Sequence, residues 1–463
     1  MRLLQALRAP GPGLALHLPA HGRGRGLAPG LRLLLAGAPG GWDLPELPGI
    51  GGPLEADGAV AGAQAAAAAL CGSAHCWFGV NGASGLLQAA LLALAAPGSR
   101  VLLPRNLHRS LLHGCVLAQL RPVLFDLPFD PASGLWLPPT AAWLEQVLEQ
   151  AGPLAAVVLV HPTYQGLAGE LEGLIALAHR RGLPVLVDEA HGAHFGAAEL
   201  PGTLLPVSAL SAGADLVVQS LHKAAGGLGQ SAVLLLQGDR VGVAELQRGL
   251  LWVQTSSPSA LLLASAEAAI SQLHSRQGAA QLERALRCGL QLRRSLAAAG
   301  LPLVANQDPL RLVLHTAAMG INGLRADAWL IGRGVIAELP EPGCLTFCLG
   351  LNPPAGLRWR LGRRLQQLRA ALGGEPLPAF QPPPLPLVAE PELPVGQAWR
   401  APSQAVPLAA AAGRLAAEPV CPYPPGIPLL IPGERIDPRR ADWLVRQRQL
   451  WPDQIADSLK VVA

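Results

Sequence analysis

Between residues 80 and 236 the chain alternates short apolar runs with longer stretches that have helical spacing. The apolar runs predict six strands, at Val101–Leu103, Val123–Phe125, Ala156–Val160, Val185–Asp188, Leu216–Gln219 and Ala232–Leu236. Helices are predicted between several of them, at Gly85–Ala96 and Leu171–Arg181, and glycine or proline ends each one. Strands that alternate with helices form βαβ units, which build a mainly parallel sheet covered on both faces. Residues that bind a ligand are then expected at the carboxyl ends of the strands.

After about residue 275 the pattern changes. Helical stretches at Gln281–Ala299 and Arg358–Leu372 flank short strands around Val335 and at Leu345–Leu349, which predicts a smaller α+β domain. The sequence QPPPLPLVAEPELP, from Gln381, predicts a connector that runs extended over the surface. The predicted organisation is an N-terminal segment (1–45), a large domain (46–275), a small domain (276–375), the connector (376–400) and a C-terminal segment (401–463).

Composition excludes several classes of protein. The chain has 463 residues, of which half are apolar and 14% charged, so a disordered chain is excluded. It has no uninterrupted apolar run of 18 residues, and its first residues lack the apolar centre of a signal peptide, so we expect a cytoplasmic protein without membrane contact. Seven scattered cysteines without paired CxxC motifs favour neither a disulfide framework nor a zinc site. A net charge of +4 with dispersed arginines does not favour a nucleic-acid partner.

Lysine is almost absent from the chain. The 35 Lys and Arg residues include only Lys223 and Lys460, which leaves 35 − 2 = 33 arginines. A guanidinium group stays protonated, whereas an ε-amine can lose its proton when desolvated and attack a carbonyl. Lys223, in QSLHKAAGG, is therefore a candidate Schiff-base residue, with an accident of composition as the alternative.

Two short motifs predict an anion site. The sequence NGASG opens a helix, where Ala83 and Ser84 offer free backbone N–H groups and a hydroxyl to a phosphate. An ordinary helix start has the same appearance, so this motif alone is weak. Ser220 and His222 lie next to Lys223 and can donate to the same anion.

Other residues at strand ends are suited to an aromatic ring. His108, in LPRNLHRS, can stack on a ring or simply bond at a helix start. Asp188 ends an apolar strand, where a buried carboxylate needs a cationic partner such as a pyridinium nitrogen; a helix cap is the alternative. Ala190 is small enough for a ring to lie against it. His191 and His194 raise the possibility of a metal, but their spacing is not i,i+4 and a third ligand is missing.

A lysine, phosphate donors, a stacking histidine and an aspartate for a ring nitrogen are together the groups that pyridoxal 5′-phosphate (PLP) requires. Each signal is weak when taken singly. Because they follow successive strands in one βαβ region, the sequence predicts that they form one site.

The chain also resembles a known family, the Orn/Lys/Arg decarboxylases, which are group I basic amino-acid decarboxylases. The motifs that carry the resemblance are, in order, LHLPAHGRGRG, NGASG, NLHRS, HPTYQG, VDEAHGAHFG, QSLHK, TSSPSALLLAS and GRLAAEPVCPYPPGIPLLIPGE. The last block is the most specific, because other members of the fold superfamily lack it. The resemblance implies the α/β aspartate-aminotransferase-like PLP fold with a smaller α+β domain, in a short bacterial form.

The resemblance also implies roles for single residues. Lys223 would join the cofactor covalently, His108 and Ala190 would face the two sides of its ring, and Asp188 would hold its pyridine nitrogen. Thr255, in TSSPS, matches a threonine that reaches the phosphate of the neighbouring subunit's cofactor, which implies a homodimer with shared sites. The phosphate would otherwise be bound by Ala83, Ser84, Ser220 and His222.

Two positions depart from the family pattern. Family members commonly have Thr or Ser where Ala83 stands, so one hydroxyl contact to the phosphate is in doubt. Arg109 replaces the usual lysine after the stacking histidine, in line with the arginine bias of the chain.

The reaction that the resemblance implies is PLP-dependent decarboxylation of a basic L-amino acid to an amine and CO2, as in polyamine metabolism. The scissile carboxylate must stand perpendicular to the ring, and Lys223 or a nearby histidine would protonate the α-carbon. His191 and Glu418 are candidate substrate contacts, although Glu418 is equally well interpreted as a surface residue. The sequence leaves lysine, arginine and ornithine open as substrates.

Two other functions are compatible with part of this pattern. One is a different PLP reaction on the same fold, by an aminotransferase or a lyase. The other is a non-catalytic relative that binds a partner decarboxylase, and the presence of both Lys223 and Asp188 disfavours it.

Overall fold

The structure is a computed structural model that describes residues 3–8, 13–37, 40–197, 204–422, 426–452 and 455–463. Its helices are α1 Leu3–Arg8, α2 Pro29–Ala36, α3 Ala59–Cys71, α4 Gly82–Leu94, α5 Arg109–Leu117, α6 Ala141–Ala151, α7 Leu171–Arg180, α8 Leu221–Ala224, α9 Val243–Val253, α10 Ala260–Leu273, α11 Arg276–Ala298, α12 Gly323–Ile331, α13 Leu357–Leu372, α14 Val395–Arg400 and α15 Pro438–Leu450. Short 3₁₀ turns lie at Ala317–Met319 and Leu408–Ala410.

The strands alternate with these helices through the first half of the chain. They are β1 Leu14–Ala15, β2 His75–Gly79, β3 Arg100–Pro104, β4 Arg121–Phe125, β5 Phe129–Asp130, β6 Leu135–Trp136, β7 Ala156–Val160, β8 Val185–Asp188, β9 Leu216–Ser220, β10 Ala232–Leu236, β11 Arg311–Leu314, β12 Val335–Ile336, β13 Leu339–Pro340, β14 Leu345–Cys348, β15 Val388–Ala389, β16 Ser403–Pro407 and β17 Ser458–Val462.

The largest sheet has eight strands in the order β15-β4-β3-β7-β8-β9-β10-β2. Strands β4, β3, β7, β8 and β9 are parallel to their neighbours within this block, whereas β10 and β15 pair antiparallel. The mainly parallel sheet is therefore confirmed, and all six predicted strands occur within two residues of their predicted bounds. Strand β2 was not predicted, because its sequence HCWFG lacks an aliphatic run.

The sheet is buried on both faces because alternate side chains of its strands point to different apolar clusters. In β7, Val157 and Leu159 join the larger cluster, and Ala156 and Val158 join the other. The register aligns Val160 with Asp188, so that β7 and β8 end at the same edge of the sheet. Residues that follow these strands are consequently brought together.

A second unit contains the three-stranded sheet β11-β14-β13 with helices α11, α12 and α13. The N-terminal segment connects the two units. Its strand β1 pairs with β12, and the Ala20 N–H donates to the His222 carbonyl at 2.9 Å. The segment LHLPAHGRGRG is thus attached directly to the turn that carries Lys223.

The proline-rich connector differs from its prediction. Instead of only running over the surface, it contributes β15 to the edge of the large sheet and then forms α14. Strand β4 would otherwise present unpaired backbone groups at that edge, and β15 pairs with them. The following segment has its own apolar core, built around Trp443, α15 and the antiparallel pair of β16 and β17.

Part of the motif CPYPPG, residues 423–425, lies outside the described residues. Within the described ranges, every helix is too short or too polar to cross a lipid bilayer.

Candidate active site

A cavity of about 420 Å³ opens at the carboxyl ends of the parallel strands. This volume is in the range of small-molecule sites. The predicted site residues that line it are Ala83, Ser84, His108, Asp188, Ala190, His191, Ser220, His222 and Lys223. The structure therefore brings together all of the predicted site residues except Thr255 and Glu418.

The start of α4 forms one wall of the cavity. Gly82 has φ +67°, a conformation that favours glycine, and its N–H donates to the Gln230 carbonyl at 2.8 Å. Asn81, the residue that precedes the helix, makes no side-chain capping bond. Ala83 and Ser84 follow in the first turn and line the cavity. This end of the helix is suited to an anion, because its first N–H groups and its dipole face the cavity.

Lys223 lies on the short helix α8, directly after β9. Its Nζ is 3.0 Å from His191 Nε2 and 5.8 Å from the centre of the Tyr164 ring. Burial lowers the pKa of Lys223, the Asp188 carboxylate opposes this shift, and the Arg311 guanidinium adds to it. The environment thus favours a neutral amine more than water does.

Asp188 and His108, which the sequence predicted to hold a ring, both line the cavity. Asp188 ends β8, is 6% exposed, and accepts a hydrogen bond from the Ala190 N–H at 3.1 Å. His108 caps α5, where its Nδ1 accepts from the Ser110 N–H at 3.3 Å. The helix-cap interpretation of His108 is therefore confirmed. The residue also lines the cavity, and its stacking on a ring stays a prediction.

Ser220 and His222 form a hydrogen-bonded pair beside Lys223. Ser220 Oγ lies 3.0 Å from His222 Nδ1. Burial, with a smaller contribution from the neighbouring Lys223, lowers the pKa of His222 to about 4. The imidazole is consequently neutral at pH 7 and offers hydrogen bonds rather than charge to an anion.

Thr255 and Glu418 lie outside the cavity. Thr255 is exposed two residues after α9, and its Oγ1 accepts from the Ser257 N–H at 3.2 Å. Glu418 Oε2 is 3.6 Å from Nζ of Lys460, which lies on β17, and 39% of the Glu418 side chain is exposed. Within one chain the structure therefore does not bring Glu418 to the cavity, and its carboxylate is paired with Lys460 at the surface.

Several lining residues were missed by the reasoning from sequence. Tyr164 and Gln165 follow β7 in the motif HPTYQG, and their position at a strand end was a usable signal. The Tyr164 ring lies 4.2 Å from the His191 ring. Glu341 comes from the small domain, and no motif in the sequence marks it. Its side chain is buried, with 5% of the residue exposed, and accepts a hydrogen bond from Gln165 Nε2 at 2.9 Å. Burial raises the pKa of Glu341 to about 8.

The residues present fit PLP by their chemistry. A poorly hydrated amine can join an aldehyde, a buried carboxylate can accept from a pyridinium N–H, and a helix start can hold a phosphate. Among the described residues, no three His, Cys, Asp or Glu side chains are grouped for a metal ion. His194 bonds to Asp308, at 3.1 Å, rather than joining His191.

Sequence comparisons match nearly the whole chain to known proteins. Residues 42–341 match the major domain of the Orn/Lys/Arg decarboxylases, and residues 379–448 match their C-terminal domain. A protein named arginine decarboxylase from Halalkalibacterium halodurans is 31% identical over an alignment 441 residues long, which covers 91% of this chain and 87% of that protein. An arginine decarboxylase from Bacillus anthracis is 29% identical over 440 residues, with the same shares covered.

Solved structures show the same fold at lower sequence identity. Lysine decarboxylase A from Pseudomonas aeruginosa superposes with a TM-score of 0.75 at 18% identity, over 91% of this chain and 74% of that one. The constitutive lysine decarboxylase of E. coli superposes with a TM-score of 0.73 at 19% identity, over 91% of this chain and 75% of that one.

Proposed function

Because this chain belongs to the Orn/Lys/Arg decarboxylase family, we propose that it is a PLP-dependent carboxy-lyase acting on a basic L-amino acid, with L-arginine preferred. The observation that carries the proposal is the cavity of about 420 Å³ that the Lys223 amine and the Asp188 carboxylate both line. The relatives at 29–31% identity named arginine decarboxylase support the choice of arginine over lysine and ornithine.

The residues of the cavity divide into those that would hold the cofactor's phosphate and those that would hold its ring. The phosphate would be bound by the first turn of α4, with Ser84, and by the Ser220–His222 pair. Asp188 would accept from the ring nitrogen and keep it protonated, and His108 and Ala190 would confine the ring between them. Ala83 would contribute its backbone N–H, because it has no hydroxyl.

When bound, PLP supplies a protonated ring that withdraws electrons from the substrate's α-carbon. The protein's part is to orient the bond between the α-carbon and the carboxyl group perpendicular to that ring, because the bond in this orientation is the one that breaks. Lys223 Nζ would carry the proton that replaces CO2 on the α-carbon. His191, 3.0 Å from Nζ, would keep the amine in place.

Glu341 replaces Glu418 as our candidate for the acid that receives the basic end of the substrate. It lines the same cavity as Lys223, and Gln165 holds its carboxyl group. A buried carboxyl group with a raised pKa is restored to its charged form when a guanidinium lies against it. A guanidinium also offers a planar pair of donors, which suits a carboxylate better than an ammonium does.

The test is an amine-product assay on the purified chain with added PLP. L-arginine, L-lysine and L-ornithine are supplied separately, and the amine and CO2 are quantified. We expect agmatine from arginine, at a higher kcat/KM than for the other two. A keto acid as the product would indicate an aminotransferase instead, and absence of PLP binding would indicate a non-catalytic relative.

Lys223→Ala gives the matched control, because the folded variant is expected to show no turnover. Borohydride reduction of the wild-type protein with PLP should add the cofactor's mass to the peptide that contains Lys223 and leave Lys460 unmodified. If Lys223→Ala kept full activity, the proposed function would be wrong.

A further inference from the structure

A line of buried polar groups runs from Lys223 and His191, which line the cavity, to Arg311, Asp308 and His194, which do not. Lys223 Nζ is 3.0 Å from His191 Nε2, and His191 Nδ1 is 3.4 Å from Arg311 Nη2. Arg311 Nη1 lies 4.0 Å from Asp308, which in turn bonds to His194 at 3.1 Å. Arg311, Asp308 and His194 are fully buried, and His191 is 8% exposed. The line therefore joins the VDEAHGAHF segment of the large domain to β11 of the small domain.

The chemistry of arginine fixes the direction of these hydrogen bonds. A guanidinium has donors only, so the contact with Arg311 requires His191 Nδ1 to be the acceptor and to carry no proton. Burial, with Lys223 and Arg311 adding to it, lowers the pKa of His191 well below its ordinary value, so the ring is neutral. A neutral imidazole has one N–H, which must then be on Nε2.

The N–H on Nε2 points to Lys223. An ammonium group has no lone pair and cannot accept a hydrogen bond, whereas a free amine can. We propose that Arg311 is a positioning residue that fixes His191 as the Nε2–H tautomer and thereby holds Lys223 as the free amine. This inference rests on the proposed role of Lys223 as the residue that attacks the cofactor.

Other charged groups also act on the Lys223 amine, from several elements. Asp188 at the end of β8 and Glu338 next to β13 favour the ammonium form, and so does Cys348 on β14. Burial and the Arg311 charge favour the free amine, and His222 and His108 lie nearby as further titratable groups. Because Arg311 also acts through space by its charge alone, the test must separate that effect from the effect through His191.

The test measures the pKa of Lys223 by competitive labelling with acetic anhydride over a pH series. The full-length chain is freed of PLP, and its peptides are quantified by mass spectrometry. The chain suits this method, because it has only two lysines and the exposed Lys460 serves as an internal standard. We expect Arg311→Met to raise the pKa of Lys223 by about 1–2 units and to leave Lys460 unchanged.

A double-mutant cycle separates the two effects of Arg311. In a His191→Phe background, Arg311→Met should shift the pKa of Lys223 by less than half as much, because the route through the imidazole has been removed. An equal shift in both backgrounds would show that Arg311 acts only as a charge and would overturn the proposal. Circular dichroism checks that each variant is folded.

A measurement on the wild-type protein does not depend on the folding of any variant. Neutron diffraction from deuterated crystals of the PLP-free chain should show a deuteron on His191 Nε2 and none on Nδ1. The opposite tautomer would overturn the proposal. Neither readout uses turnover, so the inference can fail while the decarboxylase function stands, and the reverse also holds.

Discussion

Glu341 brings a buried carboxyl group into the same cavity as Lys223. We expect Glu341→Gln to lower kcat/KM for arginine by about 10- to 100-fold, since a hydrogen bond to a charged group contributes on the order of 1.5–3 kcal/mol. PLP binding, followed by its absorbance with the protein, should be unchanged. Glu418→Gln is the matched control, because that side chain is paired with Lys460 at the surface. If Glu418→Gln lowered arginine turnover and Glu341→Gln did not, the original interpretation of Glu418 would be restored.

The raised pKa of Glu341 also predicts how stability depends on pH. Its carboxyl group has a pKa of about 8 in the folded chain, against 4.5 as the ordinary value. Between these pH values the unfolded chain has lost a proton that the folded chain retains. The stabilisation of the fold by this group is therefore complete below pH 4.5 and is lost as pH rises toward 8. Without substrate, the free energy of unfolding of Glu341→Gln, relative to that of wild type, should rise by on the order of 1–3 kcal/mol from pH 5.5 to 8. Thermal unfolding of both proteins over this pH range measures the difference. A constant difference over this range would contradict the prediction.

At the level of elements, the C-terminal segment is held against the cavity by a buried ion pair. Glu434 accepts from Arg105 Nη1 at 3.0 Å and from Nη2 at 2.5 Å, and both side chains are almost fully buried. Arg105 lies three residues before His108, and Gly426 and Ile427 of the C-terminal segment line the cavity. The pair therefore ties the family-specific C-terminal block to the loop that carries His108.

Removing one partner of this pair should be costly. Glu434→Gln leaves the Arg105 guanidinium buried without its counter-charge, which is expected to destabilise the fold by on the order of 3–5 kcal/mol and to weaken PLP binding. Glu392→Gln is the control, because it breaks the exposed Arg435–Glu392 pair and should leave urea unfolding close to wild type. Equal effects of the two substitutions would show that Glu434 does not have the anchoring role inferred here.

How much was predictable from sequence differs between elements. The strands of the parallel block were recognisable because both of their faces are buried, which gives continuous runs such as AVVLV in β7. The cavity residues that follow β8 and β9 were found for the same reason. Arg311 and Glu341 were not found, because they belong to the small domain and tertiary packing alone brings Arg311 to His191 and Glu341 to the cavity. The register of β15 likewise depended on an unpaired sheet edge, which no local pattern in the connector reveals.

At the scale of the whole molecule, we propose that the chain forms a homodimer in which Thr255 completes the partner's site. Thr255 is exposed and outside its own cavity, next to two exposed apolar residues, Leu251 (68%) and Trp252 (78%). Exposed apolar groups beside a predicted ligand contact are typical of an interface between subunits. The end of α9 is nevertheless close to the start of α4, which lines the cavity, since Asn81 Nδ2 donates to the Val253 carbonyl at 3.2 Å.

Mixed dimers can decide whether the sites are shared. Lys223→Ala removes the reactive amine, and Thr255→Asp would place a carboxylate against the phosphate and repel it. Suppose that Thr255 serves the partner's cofactor and that a dimer contains one Lys223→Ala chain and one Thr255→Asp chain. Both substitutions then fall in one of its two sites, and the other site is intact. Co-expression with two different affinity tags should then yield mixed dimers with about half of the wild-type activity, although each variant alone is nearly inactive. If every site were built from one chain, the mixed dimer would be no more active than its parents, because each of its sites would carry one of the two substitutions.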